Sequence, residues 1–164
     1  SVHGGSLRVY GCHHDDKRET SQSVDEILKK EFNRGLLELD TYMNFADRVN
    51  KIKDDLLSFL IEQKRCGNKV VAYGAAAKGN TLLNYAGVKA DLIPCVYDSS
   101  KSKQGKFMPG SHIPILPSED LAKNELDYIL ILPWNISEEV KLQNASLTKK
   151  GIKFVTAVPE FVIQ

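Results

Sequence analysis

Cysteine is scarce in this chain. Its three cysteines, Cys12, Cys66 and Cys95, are odd in number, lie far apart and form no CxxC pair. That pattern favours neither a disulfide framework nor a zinc site. We therefore expect a protein of the reducing cytoplasm with no metal site in this chain.

An excess of one charge is also missing, because 22 lysines and arginines face 21 aspartates and glutamates. Bulk charge thus argues against a nucleic-acid partner, and any anion must be held by a local group. No apolar run approaches the roughly 20 residues that a membrane span needs. The start of the chain is polar and interrupted by glycine, which is unlike a signal peptide. We expect no nucleic acid and no membrane as partners.

The first pattern along the chain is helical and lies in residues 23–68. Ser23 and Glu26 have the spacing of a capping box, which predicts the start of a helix. From Tyr42 to Leu60 apolar residues recur at steps of three and four, which predicts an amphipathic helix of roughly 25 residues. We interpret residues 23–68 as a helical segment that braces the domain after it. Residues 1–22 precede it as a polar linker region.

From residue 69 onward the pattern alternates between strand and helix. The sequence predicts five strands, at 70–73, 92–97, 113–116, 127–132 and 153–158, with helices in most of the connections, the longest from Asn135 to Lys150. Such alternation indicates a parallel sheet with right-handed crossovers. The predicted fold is α/β, with a Rossmann-like, mostly parallel five-stranded sheet and helices on both faces. Residues 69–164 form this domain, and the long amphipathic helix precedes it.

The turn after the first of these strands has the spacing of a GxGxxG motif with Ala76 in place of the middle glycine. Gly74 suits the tight turn, and Gly79 permits close packing of helix on strand. Ala75 and Ala76 keep the backbone approachable to a ligand. A tight turn without any ligand remains an alternative.

The helix that begins at this turn favours an anion such as a diphosphate, because its first N–H groups lack acceptors and its dipole is positive there. Lys78 adds a positive charge and Asn80 a side-chain donor. Asp98 ends the second predicted strand, where an acid in dinucleotide-binding folds accepts ribose hydroxyls.

The long segment that follows, 98–112, contains lysines and glycines and precedes the third strand. Lys101, Lys103 and Lys106 either close over phosphates or belong to a solvated loop. His112 either bonds a ligand or has a structural partner.

Trp134 and Asn135 follow the fourth predicted strand, at the carboxyl edge shared with Gly74 and Asp98. We expect Trp134 to stack on a base or sugar. Asn135 either bonds the ligand or caps the next helix.

Three motifs in order, YGAAAKGNTLLNY, SKQGKFMPGSHIPILP and DYILILPWN, resemble the C-terminal domain of S-adenosylmethionine-dependent sugar-nucleotide C-methyltransferases, the deoxysugar C-methyltransferase family. The resemblance covers residues 23–158. It implies an enzyme that transfers a methyl group to a ring carbon of a dTDP-linked 4-keto-deoxysugar. Residues 3–9 resemble the end of the central methyltransferase domain of that family, so 1–22 would be the end of that domain and a linker.

The resemblance also implies where the chemistry lies. S-adenosylmethionine would be bound by the upstream domain and zinc by the N-terminal part, with no cofactor or metal in this chain. No catalytic group is expected here, although His3 is a possible one, and the chain alone should be inactive. Its partners would be the nucleotide-sugar and the upstream domain. The implied substrate-binding residues are Gly74, Ala75, Ala76, Lys78, Gly79, Asn80, Asp98, His112, Trp134 and Asn135.

Two other readings stay open from the residues alone. The Gly74 turn and Asp98 are compatible with a free-standing NAD(P)- or CoA-binding Rossmann domain. The long amphipathic helix is compatible with a structural module that dimerises, if its apolar face is left uncovered.

Overall fold

The structure, a computed structural model, describes residues 7–164. These fall into two compact units with a boundary between Asn50 and Lys51. The boundary lies inside helix α3 (Phe45–Arg65). The predicted division at 22 and 68 stays a prediction.

The first unit contains the helices α1 (Gln22–Asn33) and α2 (Leu39–Met43), neither of which buries a residue. The predicted capping box is wrong. Helix α1 begins two residues earlier, with Ser21 and not Ser23 at the N-cap position, and the hydroxyl groups of Ser21 and Ser23 pair with each other at 2.5 Å instead of capping the backbone.

The single helix predicted from Tyr42 onward is instead two helices, because the chain leaves the helical path at Asn44. The short helix α2 is tied back to the preceding turn. The Thr41 hydroxyl donates to the Gly35 carbonyl and the Tyr42 hydroxyl to the Leu36 carbonyl, both at 2.6 Å. These two bonds, each between residues six apart in sequence, fix α2 to that turn.

Helix α3 is amphipathic as predicted in the part that belongs to the second unit. Leu56, Phe59 and Leu60 are buried there. Gly67 follows with a φ of +77° and ends the helix, since the Asn68 N–H returns to the Gln63 carbonyl at 3.0 Å.

The second unit is built on a six-stranded sheet in the order β3-β2-β1-β4-β5-β6. Its strands are β1 (Val70–Tyr73), β2 (Val96–Asp98), β3 (Ile115–Pro117), β4 (Tyr128–Ile131), β5 (Lys153–Thr156) and β6 (Val162–Ile163). The first five pair in parallel and β6 pairs antiparallel to β5. The mostly parallel Rossmann-like sheet is confirmed.

The predicted count of five strands is one too low, because two residues in β6 are too few to show a periodicity. The second strand is also shorter than predicted. Pro94 lies in its predicted first half and has no N–H to donate to a ladder.

Helices cover both faces of the sheet, as predicted. Along β1 the side chains alternate, with Val70 and Ala72 in the core cluster on one face and Val71 and Tyr73 in the cluster on the other. Helix α3 and helix α4 (Ala77–Tyr85) supply Leu60 and Leu83 to the first cluster. Helices α5 (Ser137–Gln143) and α6 (Ala145–Thr148) and a 3₁₀ helix (Ser118–Lys123) cover the second.

The helix predicted from Asn135 to Lys150 is divided into a 3₁₀ turn (Trp134–Ile136), α5 and α6. The break at Asn144 has a local cause, since its side-chain amide donates to the Val140 carbonyl at 2.8 Å. Asn135 does not cap α5, whose preceding residue is Ile136.

No helix within residues 7–164 combines the length and the apolar character needed to cross a bilayer. No group of three or more of their His, Cys, Asp or Glu side chains is placed to hold a metal ion.

Candidate functional site

The turn between β1 and α4 is the first element of the candidate site. Gly74 has a φ of +84°, and its N–H donates to the Tyr97 carbonyl at 2.7 Å. The Ala76 N–H then returns to the Gly74 carbonyl at 2.7 Å, which tightens the turn. Ala76 precedes α4 and makes no side-chain cap, because alanine carries no oxygen. The first N–H groups of α4 therefore have no acceptor within their own helix or cap.

Both motif glycines let α4 pack close to the end of β4. A Cβ atom on Gly74 would stand 2.6 Å from Pro133 Cδ, and one on Gly79 would stand 2.4 Å from Leu132 Cβ. This confirms the predicted turn and packing roles. Neither glycine needs a ligand to explain its presence.

A cavity of about 710 Å³ opens between the first turn of α4 and the segment 99–114. Its polar lining is Asn80, Thr81, Ser102, Lys103 and Lys106. Its apolar lining is Ala75, Ala76, Ala77, Phe107, Met108, Pro109 and Ile115. The buried Oδ1 atom of Asn80 has no hydrogen-bond partner among the described residues. A cavity of this size with a few convergent polar groups is typical of a small-molecule site.

The segment 99–114 is ordered by contacts with the sheet and with itself. Phe107 and Pro114 form an antiparallel bridge, and the Met108 N–H donates to the Ile113 carbonyl at 2.8 Å. The Gln104 side chain donates to the Asp98 carbonyl at 2.9 Å. The segment is thus ordered and borders the cavity, whereas closure of its lysines over phosphates stays a prediction.

Asp98 is buried at the end of β2, and both oxygens of its carboxylate accept hydrogen bonds from this chain. Oδ2 accepts the Ala75 N–H at 2.6 Å and Oδ1 the Ser100 N–H at 2.7 Å. The Lys103 ammonium also contacts Oδ2, at 3.3 Å. The predicted contact of Asp98 with a ribose stays a prediction.

Lys78, Trp134 and Asn135 form a second cluster, which we call the Trp134 cluster. The Lys78 ammonium donates to Asn135 Oδ1 and lies 5.4 Å from the centroid of the Trp134 ring. The fold therefore brings these three predicted residues together. None of them belongs to the cavity lining that the described residues form.

Of the two histidines named in the prediction, the structure describes only His112. His112 is exposed, has a φ of +57° and lies outside the cavity lining formed by the described residues. Its N–H donates to the Met108 carbonyl at 2.9 Å, so its visible role is in a turn. His3 lies outside the described residues.

Sequence reasoning missed the apolar wall of the cavity, in which Phe107 is exposed and Met108 is buried. The available signal was the segment KFMPGSHIPIL, where glycine and proline separate two apolar stretches that pair across the turn. The prediction for this region rested on its lysines and took no account of the aromatic and thioether side chains that follow Lys106.

Besides Asp98, two further buried titratable groups lie on or beside β2. Burial, with a smaller contribution from the neighbouring Cys95, raises the pKa of Tyr97 to about 12. Burial also raises the pKa of the Cys95 thiol. The Tyr97 hydroxyl accepts a hydrogen bond from the Asn124 side chain at 3.0 Å. Both groups stay protonated at neutral pH and act in packing.

Comparison with known proteins gives three similarities. Residues 1–159 match the family model described as the C-methyltransferase C-terminal domain. The chain is 34% identical over 159 residues to C-methyltransferase NovU of Streptomyces niveus, which covers 97% of this chain. It spans only 38% of the length of that relative.

A solved structure, UDP-D-quinovosamine 4-dehydrogenase from Vibrio fischeri, has 24% sequence identity and a TM-score of 0.43. The superposition covers 57% of this chain and 79% of that chain.

Proposed function

The chain belongs to the family of C-methyltransferase C-terminal domains, and we propose that it binds the substrate of such an enzyme, a nucleotide-linked 4-keto-deoxysugar. The cavity between α4 and the segment 99–114 is the observation that carries this proposal. It joins the uncapped start of a helix to two lysines and an exposed phenylalanine.

The chemistry of this lining suits a nucleoside diphosphate. The free N–H groups of α4 and the positive end of its dipole favour an anion, and Lys103 and Lys106 add charge. Phe107 provides a flat apolar surface for a base. The volume of about 710 Å³ is within the range of small-molecule sites.

The residues present do not fit S-adenosylmethionine. A sulfonium cation is repelled by a cavity that Lys103 and Lys106 line, and the Asp98 carboxylate is already engaged by Ala75 and Ser100. We therefore assign the methyl donor and zinc to parts of the enzyme outside this chain. The chain alone is then inactive.

The contribution of this domain to catalysis is positioning. Diphosphate contacts at α4 would fix the distance between the nucleotide and the sugar, so that the sugar reaches a neighbouring domain in one orientation. Orientation of reactants can supply on the order of 7–11 kcal/mol in ideal cases. The proposed substrate-binding residues are Lys103, Lys106 and Phe107 of the cavity lining, together with those that the resemblance implied: Gly74, Ala75, Ala76, Lys78, Gly79, Asn80, Asp98, His112, Trp134 and Asn135. Of these, Asp98 acts indirectly.

A second role is favoured by the helices of the first unit. Leu28, Phe32, Leu39, Met43 and Phe45 are large apolar side chains and all are exposed. We assign these side chains to contact with another domain of the enzyme. We also propose that the enzyme acts in the cytoplasm, because the three cysteines are unpaired. Dimerisation of the isolated chain is the competing outcome, and its molar mass by light scattering distinguishes the two.

The binding proposal is tested by titrating the chain with dTDP, NAD and S-adenosylmethionine while its thermal unfolding is followed. A ligand that binds the folded state raises the melting temperature with concentration. We expect a rise with dTDP only. A rise with NAD and none with dTDP would favour the dinucleotide-binding reading, and no rise with any ligand would remove substrate binding by this chain.

A further inference from the structure

Lys103, Asp98 and the peptide groups of Ala75 are joined in one hydrogen-bonded set. The Lys103 ammonium donates to the Ala75 carbonyl at 3.0 Å and contacts Asp98 Oδ2 at 3.3 Å. The same Oδ2 accepts the Ala75 N–H at 2.6 Å. These bonds attach the segment 99–114 to the turn before α4, which is the anion-binding end of the helix.

The ammonium group of Lys103 still has a donor to offer. It carries three N–H donors, and two of them point to Ala75 and Asp98. Lys103 lines the cavity and 44% of its side chain is exposed, whereas only 8% of the Asp98 side chain is exposed. The free donor is therefore available to a ligand while the carboxylate that holds the lysine is not.

Lys106 lines the same cavity without such support. Its side chain is exposed, and no described residue forms a hydrogen bond or ion pair with its ammonium. Holding a free lysine in one conformation costs side-chain entropy on binding. Lys103 has lost that freedom already in the folded chain, so its contact with an anion is pre-organised.

We propose that Lys103 is the lysine that binds the diphosphate and that Asp98 is its positioning residue. The identity of the ligand rests on the proposed function. Asp98 acts through Lys103 and the Ala75 N–H, and its own charge is balanced by the Lys103, Ala75 and Ser100 donors. This role differs from that of the acid that binds a ribose at the end of the second strand in dinucleotide-binding folds.

The test measures the affinity of the chain for dTDP and for thymidine by calorimetry, in the wild type and in Lys103→Met, Lys106→Met, Asp98→Asn and Lys103→Met/Asp98→Asn. Lys149→Met removes the same charge from an exposed position outside the cavity lining and is the matched control. We expect Lys103→Met to weaken dTDP binding about tenfold, the size of one charge-assisted bond. Lys106→Met should have a smaller effect, and thymidine binding should not change in either variant.

Asp98→Asn alone should also weaken dTDP binding although Asp98 does not touch the ligand, and it should add little once Lys103 is methionine. Independent, additive effects of the two substitutions would overturn the positioning role. Should Asp98→Asn unfold, comparison of Lys103→Met with Lys149→Met decides, and equal dTDP affinities there would overturn the inference. A wild type that does not bind dTDP would overturn the proposed function itself, which separates the two failures.

Discussion

Gly79 and Leu132 lie so close together that a Cβ atom on Gly79 would stand 2.4 Å from the Cβ of Leu132. The glycine is in the first turn of α4, and the leucine directly follows β4. The absence of a side chain on Gly79 thus lets the start of α4 approach the sheet. The position of the uncapped start of α4 depends on this contact.

Gly79→Ala should destabilise the fold by about 1–3 kcal/mol, because an added methyl group in a packed interface forces the helix or the leucine to move. Urea unfolding measures the loss. Gly11→Ala is the matched control, since a Cβ atom there would meet nothing within 4 Å. Equal stability of the two variants would show that α4 has room to shift without cost.

The Trp134 cluster can be observed directly, because the chain contains one tryptophan. The Lys78 ammonium lies 5.4 Å from its ring centroid, a distance at which a cation interacts with the π system of the indole. Lys78→Met should change the emission spectrum of the unliganded chain, whereas Lys149→Met should not. Identical spectra for wild type and Lys78→Met would place the lysine away from the ring in solution.

Ligand binding should also reach this cluster if Lys78 contacts the diphosphate as proposed. A dTDP titration should then change Trp134 emission in the wild type and have a smaller effect in Lys78→Met. If dTDP changes the Trp134 emission by the same amount in the wild type and in Lys78→Met, Lys78 does not contact the ligand. The cavity proposal would remain.

Tyr97 should give the fold a specific alkaline sensitivity. The folded chain holds its proton until a pH of about 12, whereas the unfolded chain releases it near pH 10. The free energy of unfolding is therefore unaffected well below pH 10 and falls between pH 10 and about 12, by up to about 1.4 kcal/mol per pH unit. Lysines that titrate in the same range require a comparison with Tyr97→Phe.

At pH 8 the wild type should be more stable than Tyr97→Phe, because the variant loses the hydrogen bond from Asn124. Urea unfolding at pH 8, 10 and 11 should show that this advantage shrinks as the pH rises. An advantage that stays constant up to pH 11 would mean that burial does not hold the Tyr97 proton.

The cysteines should divide into two reactive thiols and one inert thiol. Cys12 and Cys66 are exposed, whereas Cys95 is buried, and burial also raises its pKa and lowers its thiolate fraction. A thiol-exchange reagent should modify two groups quickly and the third only on unfolding. In Cys95→Ala the slow phase should vanish. Three thiols that react at one rate would contradict the buried position of Cys95.

The sequence predicted the features that depend on short stretches of chain. The apolar run of β1 and the buried run ending at Leu132 were visible as strands. Gly74 was assigned to a tight turn because glycine tolerates a positive φ, and its φ is +84°. The sequence-based prediction failed where a polar side chain forms a hydrogen bond with the backbone and ends a helix. The side chain of Asn144, which donates to the Val140 carbonyl at the end of α5, is the example.

The motifs also determined which family the chain belongs to, but only the tertiary structure decided how the candidate residues group. The cavity is lined by Ala75, Ala76 and Asn80. Outside it, Lys78 contacts Trp134 and Asn135. Asp98 turned out to engage Ala75 and Lys103. The reason is physical. Periodicity and φ preferences are local, whereas the partner of a long charged side chain depends on which strands and loops lie side by side, and burial of the whole core sets that arrangement.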